Sequence, residues 1–123
     1  MADAPDANWN PDQDDAQEFV ERAWELRHEK PEEARRLLER ALAAAPNSAD
    51  VLANAGRFLA RSEAEQARAL ELFARAIELD PADGVTLYDA ALCAERQGKL
   101  ERAEVWLRES LRLEPHRARA RVD

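Results

Sequence analysis

Along most of the chain, apolar residues return at helical intervals. Ala34, Leu38, Ala41 and Leu42 follow this rhythm, as do Ala69, Phe73, Ala76 and Ile77, and then Ala103, Leu107, Ser110 and Leu111. An i, i+4, i+7, i+8 pattern puts its members on one side of an α-helix and leaves charged residues to the rest of each turn. All three segments meet a proline at the same offset: Pro46, Pro81 and Pro115. A proline ring cannot continue the helical ladder and pushes the residue before it out of the helical region, so three helices are predicted to end there. A weaker stripe precedes each segment: Phe19, Ala23 and Leu26, then Leu52, Ala55, Gly56 and Leu59, then Leu87, Ala90, Ala91 and Ala94. The helices therefore come in pairs.

The breaks within and between pairs are short. Lys30-Pro31-Glu32-Glu33 places a proline in a first turn with acids at the positive end of the helix. Ser62 followed by Glu65 reads as a capping box, and Gly98 suits the left-handed residue that ends a helix. The opening alanines Ala34, Ala69 and Ala103 are spaced by 35 and 34 residues, and the prolines repeat that spacing. With such tight loops each pair is an antiparallel hairpin. One hairpin cannot cover its own apolar flank, and stacking the next one does. The predicted fold is all-α, a solenoid of three helix pairs over residues 15–47, 48–82 and 83–115. An acidic tail, expected to be disordered, occupies 1–14, and a basic tail or short capping segment occupies 116–123.

These residues resemble the tetratricopeptide repeat family, whose pattern is W-x2-L-G-x2-Y, then A-x3-F, then P. The second repeat has Leu52, Ala55, Gly56 and Leu59, then Ala69 and Phe73, then Pro81. The third has Leu87, Ala90, Ala91 and Ala94, then Ala103 and Leu107, then Pro115. The first is divergent: Arg22 stands where an apolar residue is expected, and Ala23 to Ala34 spans 11 residues where Gly56 to Ala69 spans 13. The resemblance implies a right-handed superhelix whose concave face, lined by the first helix of each pair, receives a peptide or helix from a partner protein. One subclass of the family grips chaperone C-terminal carboxylates. The positions of its clamp hold Val20, Trp24, Asn54, Val85 and Asp89 here, and Asn54 alone matches, which argues against a chaperone tail.

With the apolar anchors turned inward, a second stripe on each first helix is left for the concave face. It comprises Asp50, Ala53, Asn54, Arg57, Ala60 and Arg61 in repeat two and Val85, Tyr88, Asp89, Leu92, Glu95 and Arg96 in repeat three. Repeat one contributes Gln17, Val20, Glu21, Trp24, Arg27 and His28. Aromatic and arginine side chains dominate binding energy at interfaces, so the expected partner-binding residues are Trp24, Asn54, Arg57, Arg61, Tyr88, Asp89, Leu92 and Arg96. The acidic tail, with Trp9 as an anchor, is a candidate intramolecular occupant of the arginine stripe.

Composition narrows the function classes. The 123 residues are 46% hydrophobic and 36% charged, with a net charge of −8 that repels polyanions and argues against nucleic acid or an anionic membrane surface. No run of apolar residues suits a membrane span and the N-terminal stretch lacks a signal-peptide pattern, so a cytoplasmic location is expected. Cys93 is the sole cysteine, excluding an internal disulfide and suiting a small core residue. No phosphate loop, nucleophile elbow or metal-ligand spacing occurs, and neither an enzyme nor a cofactor is expected. The alternative to an adaptor is self-assembly: with residues 116–123 alone left to cover it, the apolar side of Leu100, Leu107 and Leu111 could stack on another copy.

Overall fold

The structure, a computed structural model, describes residues 11–115, with side chains from Asp15 onward. Among these residues the regular elements are all helical: α1 Pro11–Leu26, α2 Pro31–Ala44, α3 Ala49–Leu59, α4 Gln66–Leu79, α5 Gly84–Arg96 and α6 Leu100–Leu113. A single 3-10 turn, Glu63–Glu65, leads into α4. Because α1 begins at Pro11, residues 11–14 are helical and not part of a tail. Trp9, the rest of the acidic stretch and the basic segment from His116 lie outside the described residues.

The helix ends follow local chemistry. The residues before the three repeating prolines share one non-helical conformation: Ala45 has φ −136°, ψ 66°, Asp80 φ −141°, ψ 85°, and Glu114 φ −134°, ψ 76°. The clash between the proline ring and the preceding residue accounts for this common geometry. Pro31 opens α2 with Glu32 and Glu33 in the first turn, as expected. Gly98 has φ +75°, a left-handed position that a side chain would strain. The capping box at Ser62 does not form, since its side chain caps nothing. A 3-10 turn occupies that start, and the Gln66 side-chain amide donates to the carbonyls of Ala60 and Ser62. Side-chain caps occur at Ser48, whose Oγ accepts from the Val51 amide at 3.3 Å, and at Asp83.

The chain divides after Pro46 into two units. In the first, α1 packs on α2 through a core of small side chains: Ala16, Val20 and Ala23 with Ala34, Leu38 and Ala41. Val20 had been expected on the exposed stripe. It is buried because α1 turns the set Ala16, Val20, Ala23 inward, in helical register, leaving Arg22 exposed. Phe19 is half-buried beneath the Arg40 guanidinium, 4.4 Å from the ring centre.

In the second unit α3 packs on α4, α4 on α5 and α5 on α6, so consecutive hairpins nest in chain order. Val51, Leu52, Ala55 and Leu59 share the core with Leu70, Phe73 and Ala76. Gly56 matters by absence: a Cβ there would lie 3.1 Å from the Phe73 ring. Ala53 also falls on the buried side of α3, not on the exposed stripe. Further along, Leu87, Ala90 and Ala94 of α5 and Ala103 of α6 continue the core. Ser110, a hydroxyl at an apolar position of the repeat, is completely buried and donates to the Gly84 carbonyl at 2.7 Å, so the group is satisfied.

Candidate interaction site

Five of the eight expected residues converge in the second unit. Arg57 on α3, Arg61 just beyond it, and Asp89, Leu92 and Arg96 on α5 surround a hollow of about 430 Å3. Phe73 of α4 and Cys93 of α5, each buried, form its floor with Ala60. The helical spacing of the second stripe carries these side chains to one side of α3 and α5, and the packing of both hairpins on α4 brings the two sides together.

Arg57 is fixed on every nitrogen of its guanidinium. Nε donates to Asp89 Oδ2 at 2.6 Å, Nη1 to Asn54 Oδ1 at 2.8 Å, and Nη2 to Thr86 Oγ1 at 3.0 Å. Thr86 in turn donates its hydroxyl to Asp83 Oδ2 at 2.7 Å, and Asp83 Oδ1 accepts from the amides of Val85 and Thr86 at 3.1 and 3.2 Å. The chain Asn54–Arg57–Asp89, with Thr86 and Asp83, thus ties the second helix pair to the third through charge-assisted bonds. At Asp83 burial opposes ionisation, but the Thr86 hydroxyl and amide, the Arg57 charge and the Val85 amide outweigh it and hold the carboxyl below its ordinary range.

A second polar cluster underlies the floor. Gln97 Nε2 donates to the Gln66 carbonyl at 2.8 Å, and the Cys93 thiol lies 3.4 Å from Gln66 Oε1. Burial pushes the thiol above its ordinary range, against the hydrogen bond with Gln97 and the positive charge of Arg96. Cys93 is thus a buried residue of the floor whose surroundings disfavour the thiolate.

Arg61 and Arg96 remain exposed at the rim, with Arg61 5.5 Å over the Phe58 ring. Leu92 is half-buried and Tyr88 half-buried outside the lining of the hollow. Trp24 belongs to the first unit, where it is half-buried; the Arg27 guanidinium sits 5.7 Å from its ring and donates to its carbonyl. Thr86, Asp83 and Gln66 lie on neither the apolar nor the second stripe and join the site only through the packing of α3, α4 and α5. Asp83 alone had a legible signal, an acid immediately before a helix start.

Other hollows in this unit differ in character. One of about 460 Å3 beside α4 and α6 mixes Glu71 and Glu78 with Arg75, Lys99 and Arg102. A smaller groove of about 180 Å3 on α5 and α6 has Leu100, Ala103 and Leu107 beside Glu95 and Glu104. Among the described residues no group of His, Cys, Asp or Glu is placed to hold a metal, and no helix is long and apolar enough to cross a membrane.

Paired helices, prolines at a fixed phase and a hollow between first helices define a helix-pair repeat protein of the α-solenoid class. Residues 86–117 match the tetratricopeptide repeat family model. The crystal structure of MamA is similar over 81% of this chain and 58% of its own, with a TM-score of 0.71 and 17% sequence identity, a likeness of fold. No curated protein matches the chain by sequence. The family match is confined to residues 86–117, in the third helix pair, and the likeness to MamA is one of fold.

Proposed function

We propose that the chain is a non-catalytic adaptor that receives a peptide or helix of another protein in the hollow between α3 and α5. Tetratricopeptide repeats serve generally as protein-interaction modules, which makes a protein the class of partner. The observation that carries the reading is the hollow itself, where an apolar floor is ringed by arginines on a fixed scaffold. Apolar anchors buried in a pocket, with a charged rim, are the usual anatomy of a protein-binding hot spot. In this reading Asn54, Arg57 and Asp89, expected at the partner-binding face, also brace it. Arg57 bonds to Asn54 and Asp89 and links α3 to α5 beside the hollow, whose lining also holds Leu92, Arg61 and Arg96.

The test is selection of peptides from a displayed library by the full chain, followed by Ala60→Trp, which fills the hollow from its floor. Selected peptides are expected to lose binding to this variant while its helical circular dichroism is kept. Selection of none, or binding unaffected by Ala60→Trp, would overturn the reading.

A second reading, assembly of copies through α6, is favoured by one observation: Leu100 is 64% exposed beside the apolar groove on α5 and α6. Sedimentation across concentration distinguishes it, with association that Leu100→Glu abolishes as the supporting outcome and a monomer throughout as the contrary one.

A further inference from the structure

We infer that the groove on α5 and α6 receives an amphipathic helix of another protein, with apolar residues at i, i+3 and i+7 and a basic residue at i+10. The inference stands apart from the reading of the α3–α5 hollow; Leu92 alone lines both.

The third helix pair repeats a surface whose occupant is visible in the second. First helices correspond at an offset of 35 residues, Ala55 with Ala90, and second helices at 34, Ala69 with Ala103. On the second pair that surface carries α5, which packs on α4 and is bonded to α3. Beneath α5, Phe73 is 1% exposed and Ala69 is completely buried. Their counterparts Leu107 and Ala103 line the groove beside Leu100; Leu107 is half-buried and Leu100 is 64% exposed. Repeats of this kind bury their flanks on the next helix in line, so the groove suits a helix seated as α5 is seated.

Differences between the two surfaces specify the guest. α5 meets two polar side chains of the second pair: Arg57 bonds to Thr86 and Asp89, and Gln66 Oε1 lies 3.4 Å from the Cys93 thiol. In the third pair Leu92 takes the place of Arg57 and Leu100 the place of Gln66. Leucines offer no bond to a polar partner, so the guest needs apolar side chains where α5 has Thr86, Asp89 and Cys93. Those positions are three and then four residues apart, one stripe of a helix. Charge is the third change, because the exposed Glu95 replaces Ala60. Ala60 borders the same hollow as Arg96 of α5, which brings the guest's residue at the place of Arg96 near Glu95. A basic residue there also suits the C-terminal end of the guest helix. Glu104 is paired with Arg108 at 2.5 Å, so the charge preference is carried by Glu95. A second copy is the poorer guest, since a two-fold contact through this face sets like carboxylates together.

The experiment uses the full chain and fluorescein-labelled helical peptides read by anisotropy. One has leucines at i, i+3 and i+7, arginine at i+10, and alanine and glutamine elsewhere. A second scatters the same leucines, and a third has glutamate for arginine. The striped peptide is expected to bind about tenfold more tightly than the scattered one and about threefold more tightly than the glutamate one. Leu100→Glu is expected to remove the preference for the stripe, and Ala60→Trp to leave it. Glu95→Arg is expected to make the glutamate peptide the better ligand, a reversal that misfolding cannot produce. Absence of binding, equal affinity for striped and scattered peptides, indifference to Leu100→Glu, or loss with Ala60→Trp would each sink the inference. Two further results would reassign the groove and sink it as well. A tenfold gain in affinity on Arg117→Glu, Arg119→Glu and Arg121→Glu together would give it to that basic segment, and self-association that Leu100→Glu abolishes would give it to a second copy.

Discussion

The two units are built from the same hairpin and held together by different means. In the first, every buried side chain described on α1 and α2 is apolar, and apart from Leu38 and Val20 all are alanines. There Arg40 of α2 lies over the Phe19 ring of α1. The second unit has larger core residues, Phe73, Leu38-sized Leu52 and Leu87 among them, and a set of polar ties that cross between helices: Arg57 to Asp89, Gln97 to Gln66, and Ser110 to Gly84. The contrast teaches that small side chains are enough to close one hairpin, while the hollow of the second unit is bordered by directional bonds between α3 and α5. Apolar contacts tolerate sliding, whereas a guanidinium bonded on three sides does not.

The largest effect should follow loss of the Phe73 ring, which fills the space against Gly56 and floors the hollow. Phe73→Ala is expected to lower unfolding free energy by about 3–5 kcal/mol in urea titration. Leu38→Ala, the corresponding truncation in the first unit, removes fewer atoms and is expected to cost about 2–4 kcal/mol. Should the first unit prove the more sensitive, the contrast in core size would carry no energetic meaning.

Asp83→Ala removes the cap of α5 and the acceptor of Thr86, an expected loss of about 1 kcal/mol. Its pH dependence has a definite sign. The folded carboxyl titrates below its ordinary value of 3.8, so its contribution is complete above that value and disappears as pH falls through the folded pKa. Wild type and variant should therefore converge in stability in strong acid and differ at neutral pH; a constant difference across that range would dissociate Asp83 ionisation from the network. Smallest of all, Arg40→Ala should cost about 0.5–1 kcal/mol, the scale of a cation–π contact at an exposed position. A larger loss would show that the first unit depends on a polar tie after all.

Pattern alone settled the element types, the pairing of helices and where three of them end, because each rests on nearest-neighbour sterics or on a 3.6-residue period. The residues before Pro46, Pro81 and Pro115 share one backbone geometry for that reason. Part of the interaction site was legible on the same basis: the spacing that put Arg57, Arg61, Asp89, Leu92 and Arg96 on one stripe of two helices is the spacing that aims them at one hollow. Less was legible in the first repeat, where a small-residue helix presents two nearly equivalent apolar sides, and Val20 went inward.

What tertiary structure alone decided is how those side chains divide their work. The sequence determines that arginines and an aspartate share a face, but not that Arg57 is consumed by Asn54, Thr86 and Asp89 while Arg61 and Arg96 stay at the rim. Hydrogen bonds have a reach of about 3 Å and a required direction, and residues 32 apart in sequence meet that condition only after two hairpins have packed on α4.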